Sequence, residues 1–203
     1  MTAFLRLGVP LALVAGFLSG CAGVPERQLD RALAAQEARE SQLRAVTEWG
    51  LRGRIAVHSS RQQGSGSIAW QTAPGSLRFE LSAPVSRQSW VLIADADGAR
   101  LQGLEEGERL GSSAGALLRE AFEWEVPIES LAFWVQGARA PGKANVLLDV
   151  DGRPRQIDQD GWRIEYREWV QVDGLSLPRK VFAEQGPNRL RLVVDGWKLG
   201  PAS

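Results

Sequence analysis

Several short stretches of this 203-residue chain carry residue types at spacings known from catalysis, and each lacks an essential part. Gly111-Ser112-Ser113-Ala114-Gly115 matches the G-x-S-x-G nucleophile elbow, which needs an acid and then a histidine downstream of the serine. The only histidine, His58, precedes Ser113. Gly137 to Ala144, "GARAPGKA", is one residue from a phosphate-binding loop. The hydroxyl that would hold magnesium is replaced by Ala144, and a helical pattern rather than a strand precedes it. Asp95-Ala96-Asp97-Gly98 and Asp149-Val150-Asp151-Gly152 begin like calcium loops but lack the closing glutamate. Both read as hairpin turns. His58, without a cysteine partner, is a poor transition-metal site. These patterns point to no catalytic residue, no metal and no cofactor, and to a protein that is not an enzyme.

The remaining reactive group is the thiol of Cys21, the one cysteine in the chain. A lone cysteine forms no internal disulfide. It follows Leu18-Ser19-Gly20 at the end of an apolar run from Leu7, with Arg6 as the only charged side chain before it. A basic start, a short apolar centre and small residues at the end make a secretory signal peptide. The run is too short to span a bilayer as a helix, which takes about 20 apolar residues. Leu18-Ser19-Gly20-Cys21 also resembles the bacterial lipobox, in which cleavage precedes the cysteine and the thiol takes a lipid. Residues 1–20 are then a signal peptide, and Cys21 is the lipid attachment site and first mature residue. Ala22 and Gly23 are not acidic. By analogy with sorting signals, this favours the periplasmic face of the outer membrane of a Gram-negative bacterium.

The elements that follow place no chemistry but build a container. Residues 21–48 read as a lipidated terminus and a spacer that becomes helix near the domain, with Leu29, Ala32, Leu33, Leu43 and Val46 at roughly helical spacing. From Trp49 to the end, residues 49–203 read as one domain. The apolar period becomes two: Ile55 and Val57, Ile68 and Trp70, Leu77, Phe79 and Leu81, then Trp162, Ile164 and Tyr166, then Leu190, Leu192 and Val194. Residues 112–137 interrupt this with a helical pair. Leu117, Leu118, Ala121 and Phe122 share one face, Ser112 or Ser113 serves as N-cap, Pro127 opens the second helix and Gly137 closes it. The expected fold is mainly β with some α: an open, incomplete antiparallel β-barrel of about 10–11 strands, with the helical pair inserted after the sixth and laid as a lid over the apolar face. Lysine plus arginine equals aspartate plus glutamate, 24 each, so no net charge draws the chain to nucleic acid.

Beyond this point the residues resemble a known family. "WGLRGRIAV", "GSGSIAWQ", "LRFELSAPV", "LLREAFEWEVPIESLAFWVQGARAP", "DVDGRPRQIDQDGWRIEYREW", "LPRKV" and "RLRLVVDGW" occur here in an order and spacing similar to the LolB family of outer-membrane lipoproteins. The resemblance implies an apolar cavity for acyl chains between sheet and lid. It also implies partners in a LolA-type periplasmic carrier loaded with lipoprotein, in the acyl chains of that cargo, and in the outer membrane. It further implies a protruding loop with an exposed apolar residue. The matching place is Pro84-Val85-Ser86, where valine and serine replace the family's usual leucine and glycine.

On this reading Trp70, Phe79, Leu81, Trp90, Leu92, Leu117, Leu118, Phe122, Trp134, Trp162, Ile164 and Tyr166 line the cavity. The same residues suit a filled core equally well. The expected activity is acceptance of lipoproteins from the carrier and their incorporation into the outer membrane by a monomer. Two alternatives stay open: a lipoprotein that binds acyl chains without delivering them, and a structural envelope lipoprotein with no cavity.

Overall fold

The computed structural model describes residues 26–60, 63–83 and 88–200. The signal segment 1–20, Cys21, and Pro84, Val85 and Ser86 lie outside the described residues. The chain runs α1 (Glu26–Ala45), β1 (Trp49–His58), β2 (Gln63–Ala73), β3 (Ser76–Ala83), β4 (Gln88–Asp95), β5 (Gly98–Gln102) and β6 (Arg109–Gly111). Then follow α2 (Ala114–Phe122), α3 (Ile128–Trp134), β7 (Ala144–Leu148), β8 (Pro154–Gln159), β9 (Trp162–Val172), β10 (Leu175–Gln185) and β11 (Asn188–Leu199). All eleven strands form one antiparallel sheet in the order β6-β5-β4-β3-β2-β1-β11-β10-β9-β8-β7. The first and last strands therefore meet in the middle. The edges, β6 and β7, do not pair with each other, so the barrel stays open, and α2 and α3 carry the chain from one edge to the other.

Local chemistry explains the hairpins. Asp160-Gly161 and Asp173-Gly174 both have positive φ at the two central positions (52° and 80°, 48° and 82°), the tight two-residue geometry whose twist matches the flanking strands. The second pair carries β9 and β10 past the aromatic stretch to Val172 and Leu175. At Asp95, Oδ1 accepts from the Asp97 amide at 3.0 Å, which stabilises the β4–β5 turn. The Ser113 hydroxyl accepts from the Ala116 amide at 3.2 Å, so this serine is the N-cap of α2.

The period-two pattern buries one face of the sheet. Leu51, Ile55, Val57, Ile68, Trp70, Phe79, Leu92, Ile164, Leu192 and Val194 all point inward. Leu117 and Leu118 of α2, with Ile128, Leu131 and Trp134 of α3, close over them in a single cluster. Each fully buried aliphatic side chain contributes about 1.5–3 kcal/mol.

α1 departs from the expected spacer. It is continuous from Glu26 to Ala45. Its buried face is Gln36, Arg39, Glu40 and Leu43, whereas Leu33 is 43% exposed. Of the apolar stripe read over this segment, Leu43 is buried and Ala32 and Val46 are half-buried, but Leu33 faces solvent, because the helix docks mostly through polar groups.

At the central seam, β1 and β11 slip register between Arg52 and Gly53, leaving Asp195 as the extra residue. A Cβ at Gly53 would collide with the Val193 carbonyl oxygen and lie 3.1 Å from the Val194 Cα. Gly53→Ala should therefore lower the unfolding free energy by about 2 kcal/mol in urea titrations, the range for overpacking against backbone. An unchanged midpoint would show that the seam yields.

Candidate functional site

The structure gathers the twelve predicted lining residues into one cluster under the helices. Eleven are buried, and Phe122 is half-buried at its edge. The rings form a continuous row. Trp197 and Trp49 lie 5.8 Å apart between centroids, Trp49 and Trp70 5.4 Å, Trp70 and Phe79 5.3 Å, Phe79 and Trp90 5.6 Å, and Trp90 and Phe122 4.8 Å. Trp124 closes the row edge-on to Trp90 at 5.9 Å. The rings pack against one another along the apolar face of the sheet. The Trp70 indole N–H is buried in this row without an acceptor.

α2 and α3 are held over this row in different ways. The inward face of α2 is apolar, with Leu117 and Leu118 fully buried against β4, β5 and β6. The end of α3 is tied by directed hydrogen bonds. Tyr166 Oη donates to the Trp134 carbonyl at 2.9 Å, and Trp134 Nε1 donates to Gln159 Oε1 at 3.0 Å. Gln159 also accepts from the Ala140 amide at 3.0 Å and donates Nε2 to the Ala140 carbonyl at 2.8 Å. Burial pushes the Tyr166 hydroxyl well above the ordinary phenol range, so it remains a donor.

α1 completes the fastening. Arg39 donates to the Gly137 carbonyl at 2.7 Å, to the Ser176 carbonyl at 2.9 and 3.1 Å, and to the Gln136 carbonyl. Its guanidinium lies 4.9 Å from the Trp169 ring centroid. Burial pulls its pKa down to about 10, which leaves it charged at neutral pH. Beside it, Glu40 accepts from the Arg139 side chain at 2.7–3.1 Å and from the Arg139 amide at 3.1 Å. Burial alone would raise the Glu40 carboxyl, but the bonds from Arg139 and Gln36 outweigh it and hold the carboxyl below its ordinary range.

None of Arg39, Glu40, Arg139 or Gln159 stood out as functional in the sequence. The signal was the spacing of Gln36, Arg39, Glu40 and Leu43, which puts four residues on one helical face.

Between α1, α3 and the start of β1 lies a cavity of about 500 Å³, lined by Leu43, Val46, Trp49, Ala132, Phe133 and Pro141, with Glu40 and Arg139 at its rim. The motifs first weighed for chemistry lie elsewhere. Lys143 is exposed in the loop after α3, and the Asp149 and Asp151 carboxylates are engaged by Arg153 at 2.9 and 2.6 Å. Cys21, the expected lipid attachment site, and Pro84-Val85-Ser86, the expected loop, are outside the described residues.

Two substitutions test the α1 fastening. Arg39→Met leaves the carbonyls of Gln136, Gly137 and Ser176 without this donor. It should cost roughly 3 kcal/mol and speed amide hydrogen exchange along 136–140; slow exchange there would mean that other contacts hold the loop. Glu40→Gln tests the sign of the electrostatics. The folded carboxyl titrates below its unfolded value, near 4.3, so its stabilisation is complete above that pH and is lost as pH falls through the folded pKa. The stability gap between wild type and Glu40→Gln should therefore be widest at neutral pH and shrink on acidification.

Residues 47–197 match the family model described as outer membrane lipoprotein LolB. A protein described as outer-membrane lipoprotein LolB from Xanthomonas campestris pv. campestris (strain B100) is 39% identical, covering 91% of this chain and 92% of its own. One of the same description from Xanthomonas oryzae pv. oryzae (strain MAFF 311018) is 38% identical over 99% and 100%. Another, from Xylella fastidiosa (strain 9a5c), is 39% identical over 94% and 93%. Among solved structures, a LolA superfamily protein from Nitrosomonas europaea superposes with a TM-score of 0.50 at 11% identity, covering 86% of this chain and 94% of its own. A DUF1329 family protein from Desulfovibrio piger reaches 0.51 at 8% identity, covering 87% and 95%. These two structures share the fold of an open sheet covered by helices.

Proposed function

The chain belongs to the LolB family of outer-membrane lipoproteins, and we propose that it accepts lipoproteins from a LolA-type periplasmic carrier and incorporates them into the outer membrane. Acyl chains of the cargo are covered beneath α2 and α3 during the handover. The activity is transfer rather than catalysis, and the only prosthetic chemistry is the lipid on Cys21. The observation that carries this reading is an unclosed eleven-stranded sheet whose apolar face is roofed by two short helices, one of them seated on it through leucines and phenylalanine.

The energetics favour such a container. At about 0.8 kcal/mol per methylene, exposing one sixteen-carbon chain to water costs on the order of 10 kcal/mol. The cargo must therefore stay covered at every step, and transfer runs downhill from carrier to this protein to membrane. An acyl chain enters where Trp90 and Phe122 now stack. It displaces ring contacts with methylene contacts, one apolar surface for another. α2 moves outward, while α3 stays tied through Trp134, Tyr166 and Gln159. The Trp70 N–H, without an acceptor in the closed state, gains one if an ester or amide carbonyl of the cargo reaches it.

Purified protein mixed with a loaded LolA-type carrier and outer-membrane vesicles should move cargo into the vesicles; cargo that stays on the carrier sinks the delivery role. The location of the chain is tested separately with a fluorescent acyl probe. Phe122→Ala removes part of the plug and should raise probe uptake several-fold, because less packing is given up on opening. Ala132→Trp fills the cavity beside α1 and should leave uptake unchanged. The reverse pattern would put the chain in that outer cavity. Val85→Glu should impair insertion but not acceptance, and equal loss of both would remove the loop's special role.

A further inference from the structure

On the outer face of the sheet, away from the helices, some described cations are engaged by carboxylates, while Arg52 and Arg100 form no ion pair among the described residues. Arg54 meets Asp195 at 3.3 Å, Arg78 meets Glu80 at 2.7 Å, Arg163 reaches both Asp158 and Glu184, and Lys180 pairs with Glu168. One corner differs. His58 at the end of β1 faces Arg189 across the β1–β11 ladder, and Arg191 lies opposite Ala56 two residues further along. All three side chains are exposed, and none forms an ion pair among the described residues. Glu184, the carboxylate opposite Arg189 on β10, lies 3.5 Å from Arg163. The three basic groups surround a depression of about 520 Å³ floored by Ala56, Gly64 and Ser65. Small residues make room, and long donors stand at the sides. This arrangement suits a phosphate oxygen cluster, which guanidinium forks bind at two points.

The corner lies at the end of the sheet that also carries the β3–β4 turn. Ser65 pairs with Ala56, Ser67 with Ser82, and the strands leading into that turn are paired at Ala83 and Gln88. We propose that His58, Arg189 and Arg191 form a docking surface for the phosphate headgroups of an anionic lipid surface. The proposal rests on the reading that a membrane receives the cargo. It adds a polar contact to the apolar one assigned to the loop, and it leaves the helix-covered face free to meet the carrier. A membrane suits the corner better than an acidic protein because the depression is compact, its three basic side chains are exposed, and it lies at the same end of the sheet as Ala83 and Gln88.

The test uses the mature chain from residue 21 with Cys21→Ala, so that no anchor holds it to vesicles. Sedimentation with vesicles of phosphatidylcholine alone is compared with vesicles containing about 30% phosphatidylglycerol at about 0.15 M salt. Wild type should bind the anionic vesicles several-fold better. Arg189→Gln with Arg191→Gln should reduce that binding on the order of tenfold, while the zwitterionic vesicles show little change. Arg100→Gln with Arg155→Gln removes the same charge from exposed positions on β5 and β8 and should change it less than about twofold.

Equal losses from the two pairs, or no loss from the first, overturn the proposal. Unchanged vesicle binding with slower acceptance from the carrier also overturns it, and assigns the corner to a protein partner. Both arginines are exposed, so the urea midpoint should hold and confirm that the pair folds. Because this assay contains no cargo, its result is separate from the transfer assay: failed transfer with intact preference for anionic vesicles sinks only the delivery reading.

Discussion

An antiparallel sheet that does not close must have its apolar face covered by something else. Here the cover is nine residues of α2 and seven of α3. Helices this short are marginal in water on their own. They stand because Leu117, Leu118, Ile128, Leu131 and Trp134 are buried against the sheet. The dependence is mutual, since withdrawing either helix would expose tryptophan and leucine surface on β2, β3, β4 and β9. The lid therefore closes on apolar material, its own or a ligand's.

Two kinds of force divide the work. Dispersion and burial are non-directional, so one apolar neighbour of Phe122 or Trp90 can replace another with little net change in free energy. Hydrogen bonds cannot be exchanged that way. The Tyr166–Trp134, Gln159–Ala140 and Arg39–Gly137 contacts each need one geometry, and breaking one leaves buried polar groups unpaired. The lid is thus seated by apolar burial at α2 and fastened by directed bonds at the end of α3, with the Gly115 amide of α2 also donating to Glu129 of α3 at 3.3 Å. The fastened side is secured by α1, the helix that leads back to Cys21.

Much of this was legible residue by residue. Ser113, one of the two serines expected as cap, is the cap, the leucines of α2 face inward as their spacing required, and the aspartate-glycine turns separate strands that alternate as read. The twelve residues expected to line the cavity fall in one cluster formed by the sheet face and the lid helices. Other features were not legible. Three-residue β6 is too short to show a period. The turn at Asp173-Gly174 joins strands whose outer parts carry little alternation. Gln36, Arg39 and Glu40 fall in the polar gap between Leu33 and Leu43 and carried no signal of burial, because a sequence does not reveal which carbonyls will be left waiting at the end of a distant helix.

The sequence by itself determined most strand and helix periods and most turn positions. Those depend on neighbours within about seven residues, where spacing decides which side chains share a face. Tertiary structure alone decided that the first and last strands meet, that a buried arginine and glutamate fasten α1, and that the aromatic rings fill the space beneath the lid. It also decided which surface cations remain without acids. Each of these sets groups against partners outside their own element, and only the folded chain brings such groups within hydrogen-bonding or van der Waals range.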